Sequence, residues 1–163
     1  MKKIIGIDIG NVIIGGDTDT EGKFFTNDYL NVPTIPDSFQ AIKFLIEREG
    51  AENIFLVSKC SEKTQKRTLL FFEHHNFYEQ TQFEKQNVFF CLERHEKKEI
   101  CDRLHIQIFI DDRFTVLSHI AELKNRKLYL FSPNKIEFEL YQKSALQKKI
   151  IVIQNWKELL KII

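Results

Sequence analysis

The chain has 163 residues, 43% of them hydrophobic, with 24 lysines and arginines against 23 aspartates and glutamates. A single domain of that length can bury roughly 70% of its unfolded surface, and fifteen Phe beside six Gly and three Pro exclude extended disorder. The balanced charge gives no strong nucleic-acid signal, and no apolar run approaches the length of a membrane span.

Cys60, Cys91 and Cys101 form no Cys-x-x-Cys pair and cannot all pair with one another, which points to a reducing, cytoplasmic compartment. The first residues carry two lysines and an apolar run, but Asp8 interrupts it and no small-residue cleavage site follows, so no signal peptide is expected.

The first predicted element is a strand at residues 3–9. Its run Ile4-Ile5-Gly6-Ile7 has the apolar, β-branched character of a strand buried on both faces, and it closes on Asp8. Open α/β sheets bind ligands at the carboxyl ends of such strands, although a lone Asp also caps turns. Residues 13–36 follow with Gly15, Gly16, Asp17, Asp19, Gly22, Pro33 and Pro36 and little periodicity. A stretch of that length without pattern is usually functional, so a flap or small cap is expected there, with a plain surface hairpin as the alternative.

Asp37 or Ser38 can then cap a helix to about residue 48, with Phe39, Ile42, Leu45 and Ile46 on one face. A strand at 53–58 ends in Ser58. Ser61 can cap a helix to about residue 74 that turns Leu69, Leu70 and Phe72 inward, and the phenylalanine pairs 71–72 and 89–90 read as core. A strand at 87–91, a helix at 96–104, a strand at 106–111 running into Asp111-Asp112, a helix at 115–124 and a strand at 127–131 continue the alternation. Ser132-Pro133-Asn134 marks a turn, and Asn155 can cap a last helix to Leu160. The pattern predicts one α/β domain, three-layered and Rossmann-like, with about five parallel strands and helices on both faces.

Two inner strands that end in carboxylates gather negative charge at one sheet edge. Carboxylates about 4 Å apart repel by roughly 4 kcal/mol at an effective dielectric of about 20, so a cation is expected, and Mg²⁺ best suits hard oxygen ligands. Asp8, Ser58, a lysine at 97 or 98 and Asp111-Asp112 follow one another at strand ends. Chemically this is a set for phosphoryl transfer: a carboxylate nucleophile, a hydroxyl and an ammonium for phosphate oxygens, and acids for the metal. Lys59, beside Ser58, is a further candidate at the phosphate.

In these motifs and their order the chain resembles the haloacid dehalogenase-like superfamily of phosphohydrolases. Ile4-Ile5-Gly6-Ile7-Asp8-Ile9-Gly10-Asn11-Val12 matches the first motif, Ile54-Phe55-Leu56-Val57-Ser58 the second, a lysine in Arg94-His95-Glu96-Lys97-Lys98 the third, and Phe109-Ile110-Asp111-Asp112 the fourth. The resemblance covers about residues 3–131. It implies strand order 5-4-1-2-3, a minimal cap, attack on phosphorus by Asp8 with an aspartyl-phosphate intermediate, and phosphate binding by Ser58 and the lysine. It also implies Mg²⁺ at Asp8, the Gly10 carbonyl, Asp111 and Asp112. Lys97, at the helix start, is preferred over Lys98, and Asn11, Lys59 and Lys98 are further candidate substrate contacts. The expected partner is a phosphorylated small molecule or macromolecule.

One position departs from that pattern. Phosphatases of the superfamily usually carry a second Asp two residues after the nucleophile as general acid and base, where this chain has Gly10. A positioned general acid is worth about 10²–10⁴-fold in rate. The leading expectation is a Mg²⁺-dependent phosphomonoester hydrolase; the second is a catalytically weak or inactive domain of the same fold that binds a phosphorylated ligand or a protein partner. Asp17 and Asp19 are candidate replacements for the missing acid. Cys60 lacks the arginine six residues on that a cysteine phosphatase needs, since Lys66 stands there. The histidines lack metal-ligand spacing, and no dinucleotide or P-loop motif occurs. In receiver-type signalling domains the acidic pair follows the first strand, not the fourth.

Overall fold

Ile5 and Ile7 have no solvent exposure, and the strand that carries them lies inside the sheet, between two parallel neighbours. In this computed structural model, which describes residues 1–15 and 22–163, the elements run β1 (Ile5–Ile7), α1 (Ser38–Glu49), β2 (Ile54–Lys59), α2 (Glu62–His74), α3 (Phe77–Thr81), β3 (Val88–Cys91), α4 (Glu96–Arg103), β4 (Ile108–Asp111), α5 (Phe114–Ile120), β5 (Lys127–Phe131), α6 (Lys135–Gln142), β6 (Ile150–Ile153) and α7 (Trp156–Leu160). The six strands are parallel, in the order β3-β2-β1-β4-β5-β6.

Strand side chains alternate between faces, and that period of two divides the core into two layers. Ile5, Ile7, Ile54, Leu56, Ile108, Ile110 and Tyr129 meet α1, α2, α3 and α7 on one face. Val57, Phe109, Leu128 and Leu130 meet α4 and α5 on the other. Gly6 points to this second face because there is no room for more: a Cβ there would lie 2.6 Å from Phe109 Cδ2 and 2.8 Å from Ile106 Cδ1. Trp156 is fully buried, and its indole N–H donates to the Val12 carbonyl at 2.8 Å, tying α7 to the loop after β1.

The five-strand order expected from the resemblance is the β3-to-β5 part of this sheet, and β6 extends it by pairing Leu128–Phe131 with Ile150–Ile153. The added strand, α3 and α6 are absent from the sequence-based expectation. Leu69 and Leu70 are not core: they are 40% and 54% exposed, because the buried stripe of α2 runs through Thr68, Phe71 and Phe72 at helical spacing. Phe89 and Phe90 are only half-buried, since β3 is an edge strand. Neither Asp37 nor Ser38 caps α1 through its side chain; Asp37 is left-handed, and the buried Ser38 hydroxyl donates to the Ile13 carbonyl.

Within 13–36, Gly15 N–H donates to Pro33 O and Ile35 N–H to Ile13 O, both at 2.7 Å. Single 3₁₀ turns occupy Lys23–Phe25 and Tyr29–Asn31, and the buried Phe24 packs edge-on to Phe71 of α2. Gly16, Asp17 and Asp19 lie outside the described residues. Among the described residues no helix is long and apolar enough to cross a membrane.

Candidate active site

Asp8 continues the β1 ladder, its N–H donating to Ile110 O at 2.9 Å, so its side chain emerges at the carboxyl edge beside the end of β4. Lys97 comes to meet it from the first turn of α4. Glu96 explains the direction: its carboxylate accepts the N–H groups of Leu92 at 2.9 Å and Glu93 at 2.6 Å, closing the β3–α4 loop and turning the next residue inward. Lys97 Nζ lies 2.7 Å from Asp8 Oδ1 and 2.8 Å from Asp111 Oδ2, and Lys97 is 2% exposed. Lys98, expected as a second phosphate contact, instead pairs with Glu122 of the segment after α5; one residue on in a helix turns the side chain by about 100°, away from the site.

The acidic pair divides its work. Asp111 has no exposure and spends Oδ2 on Lys97 and Oδ1 on the Arg113 N–H at 2.9 Å. Asp112 lines the cavity above it, and the Asn11 amide donates to its Oδ2 at 3.2 Å. Asn11, expected as a substrate contact, holds Asp112 from a left-handed turn, a conformation that Asn tolerates better than most side chains. Ligand oxygens of Asp8, Asp111 and Asp112 all lie within 4.8 Å of one another.

Three buried carboxylates face one ammonium. Burial pushes Asp111 above the usual carboxylate range although Lys97 pulls the other way, and burial, then the charges of Asp111 and Asp8, push Asp112 well above it. Burial opposes the Lys97 charge, yet Asp111 and Asp8 outweigh it and raise that pKa. Negative charge is therefore in surplus, and the donors are hard oxygens around a common point. The residues fit a small divalent cation such as Mg²⁺.

Over this floor lies a cavity of about 420 Å³. The half-buried Ser58 and the exposed Lys59 line it from the end of β2, Gly10 from the loop after β1, and Phe24 and Phe25 from the 13–36 segment. Cys60 lines it too; burial, with the Asp8 charge adding, pushes its thiol up to about 11, so it is protonated at neutral pH and no nucleophile. Two charged lining residues escaped the sequence reading, Arg94 and Arg113. Each is a near neighbour of a motif residue, Lys97 or Asp112, and the strand-end rule that selected Asp8 could have been extended to both.

Comparisons with protein-family models and with curated proteins find no match. Among solved structures, D,D-heptose 1,7-bisphosphate phosphatase from Burkholderia thailandensis superposes with a TM-score of 0.63 at 16% identity, over 97% of this chain and 96% of that one. The fold is haloacid dehalogenase-like. A haloacid dehalogenase-like protein from Burkholderia xenovorans LB400 superposes with a TM-score of 0.69 at 10% identity, over 99% of this chain and 97% of that one. In this haloacid dehalogenase-like fold the site occupies the carboxyl ends of β1, β2 and β4 and the start of α4, and each of those four elements contributes one of Asp8, Ser58, Asp111 and Lys97.

Proposed function

We propose that the chain is a phosphomonoester hydrolase that works through Asp8. The observation that carries this reading is the buried Asp8–Lys97–Asp111 chain set beneath a cavity lined by a hydroxyl and cationic side chains. Lys97 holds Asp8 Oδ1, leaving Oδ2 to form the bond to phosphorus while the bond from phosphorus to the leaving oxygen breaks and that oxygen takes the electron pair. The Ser58 hydroxyl and the remaining Lys97 N–H hold phosphate oxygens during transfer. Water then attacks phosphorus, releasing phosphate and restoring the Asp8 carboxylate.

Asp8, Asp112 and the Gly10 carbonyl would hold Mg²⁺, with Asp111 chiefly engaged in fixing Lys97. A bound Mg²⁺ supplies the positive charge that lets a phosphate dianion approach a carboxylate. The substrate is a phosphorylated small molecule or macromolecule. Purified protein is expected to release phosphate from para-nitrophenyl phosphate with Mg²⁺, to stop when EDTA is added, and to lose turnover in Asp8→Asn. Turnover that survives Asp8→Asn refutes the role of Asp8.

Gly10 favours a second reading, because it has no carboxyl where phosphatases of the resembled superfamily usually carry their general acid. On that reading the domain binds a phosphorylated ligand or a protein partner with little or no turnover. Binding of Mg²⁺ and orthovanadate without hydrolysis of any phosphomonoester in a broad panel would select it.

A further inference from the structure

Arg94 and Lys59 line the same cavity as Asp8, yet the catalytic chain needs neither. Among the described residues Lys97 gives two of its three N–H groups to Asp8 and Asp111, whereas neither Arg94 nor Lys59 is paired with a carboxylate. Arg94 is nonetheless fixed in place. Its Nη1 donates to the Thr115 hydroxyl at 3.2 Å, and that hydroxyl donates to Glu137 Oε1 at 3.1 Å. Glu137, 4% exposed, also accepts the Thr115 N–H on Oε2 at 2.9 Å, so α6 anchors the start of α5 and, through it, the guanidinium.

A neutral hydroxyl thus orients the guanidinium without cancelling its charge. The backbone is held as well: Lys97 N–H donates to Arg94 O at 3.3 Å, and Glu96 closes the loop that carries both. A guanidinium kept charged, half-buried and pre-oriented matches a carboxylate or phosphate, because its planar fork can donate two parallel hydrogen bonds and little freedom remains to be lost on binding. Lys59, exposed at the end of β2, adds a second positive charge to the wall.

We infer that the cavity holds a second anionic group of its substrate: the preferred ligand is a phosphomonoester that carries a further phosphate or carboxylate, bound by Arg94 with Lys59. This rests on the reading of Asp8 and Lys97 as the site of the reacting phosphate. Thr115 is a positioning residue for Arg94.

Titration calorimetry in Mg²⁺ tests it without requiring turnover, comparing ethylphosphonate with alkane-α,ω-bisphosphonates and ω-phosphonocarboxylates of increasing length. The best-fitting double anion is expected to bind at least about tenfold more tightly than the monophosphonate. Arg94→Ala is expected to bring that ratio close to one, Arg94→Lys to keep part of it, and Thr115→Val and the exposed Lys59→Ala each to lower it. An advantage confined to bisphosphonates identifies the second group as phosphate, and one confined to phosphonocarboxylates identifies it as carboxylate; both support the subsite. A ratio near one for every length in the natural protein, or a ratio untouched by Arg94→Ala, overturns it. Protein that keeps the ratio but hydrolyses nothing refutes the hydrolase alone, and protein that hydrolyses aryl phosphate without any such ratio refutes the subsite alone.

Discussion

Lys97 Nζ and Asp111 Oδ2 stand 2.8 Å apart with side-chain exposures of 3% and 0%, a fully withdrawn ion pair at the centre of the site. Removing one partner of such a pair strands the other, at a typical cost of about 3–5 kcal/mol. Lys97→Met would remove the ammonium that bridges Asp8 and Asp111, so it should unfold at lower urea than the natural protein at pH 7.5, by about 3 kcal/mol. The deficit should narrow at pH 5, where the stranded Asp111, its pKa raised by burial, takes up a proton. Lys97→Arg should not restore turnover, because a planar guanidinium cannot reach Asp8 and Asp111 from one point as an ammonium does. A deficit independent of pH would mean that the charge of Lys97 is not what the site requires.

Metal removal has a predicted sign of its own. Asp111, pushed up to about 7, binds its proton more tightly folded than unfolded, where an Asp titrates near 3.8. A raised folded pKa contributes stability that is fully present below the unfolded value and is lost as pH rises through the folded one. Metal-free protein should therefore lose stability between about pH 4 and pH 7, and Asp112, also shifted upward, acts in the same direction. Mg²⁺ replaces those protons, so the rise in melting temperature on adding it should be larger at pH 7.5 than at pH 5.5. Equal shifts at both values, or none, would remove these carboxylates as the cation site.

Gly6 tests the packing that places Asp8 two residues later. With Phe109 Cδ2 only 2.6 Å from where a Cβ would stand, Gly6→Ala should cost about 1–3 kcal/mol by urea denaturation, the range for overfilled cores. The atoms in the way belong to side chains, so Phe109→Leu in the same chain should recover part of that loss. No recovery would show that the backbone of β1, not the ring, sets the limit.

The residues at the centre of the site were legible because each is a polar interruption of an apolar strand or the first inward position of a helix. Asp8, Ser58 and Asp111 break runs of isoleucine, phenylalanine and valine, and the start of a helix singled out Lys97 from Lys98. Period alone misread α2, where Leu69, Leu70, Phe71 and Phe72 are four consecutive apolar residues and only packing against Phe24 and Phe77 decides which pair turns inward. The edge strand Ile150–Ile153 is four residues long with Ile151 47% exposed, too short and too half-buried to stand out from its lysine-rich approach. The relay that fixes Arg94 was invisible for a different reason. The guanidinium is oriented through Thr115, 21 residues on, and Glu137, another 22 beyond Thr115, and such a relay has no local pattern.

Gly10 yields the prediction that most directly separates the two functional readings. Without a carboxyl at position 10 to protonate the leaving oxygen, the rate of Asp8 phosphorylation should depend steeply on leaving-group acidity, so aryl phosphates should turn over and alkyl phosphates hardly at all. Gly10→Asp would place a carboxyl on the loop that lines the cavity and supply the missing acid. The gain should approach about 10²–10⁴-fold on alkyl phosphates and be far smaller on para-nitrophenyl phosphate, whose leaving group needs no proton. Steady-state kcat across a series of phosphates with graded leaving groups would measure both slopes. A slope already shallow in the natural protein would show that another group, outside Gly10, delivers the proton; a slope unchanged by Gly10→Asp would show that this position does not reach the leaving oxygen.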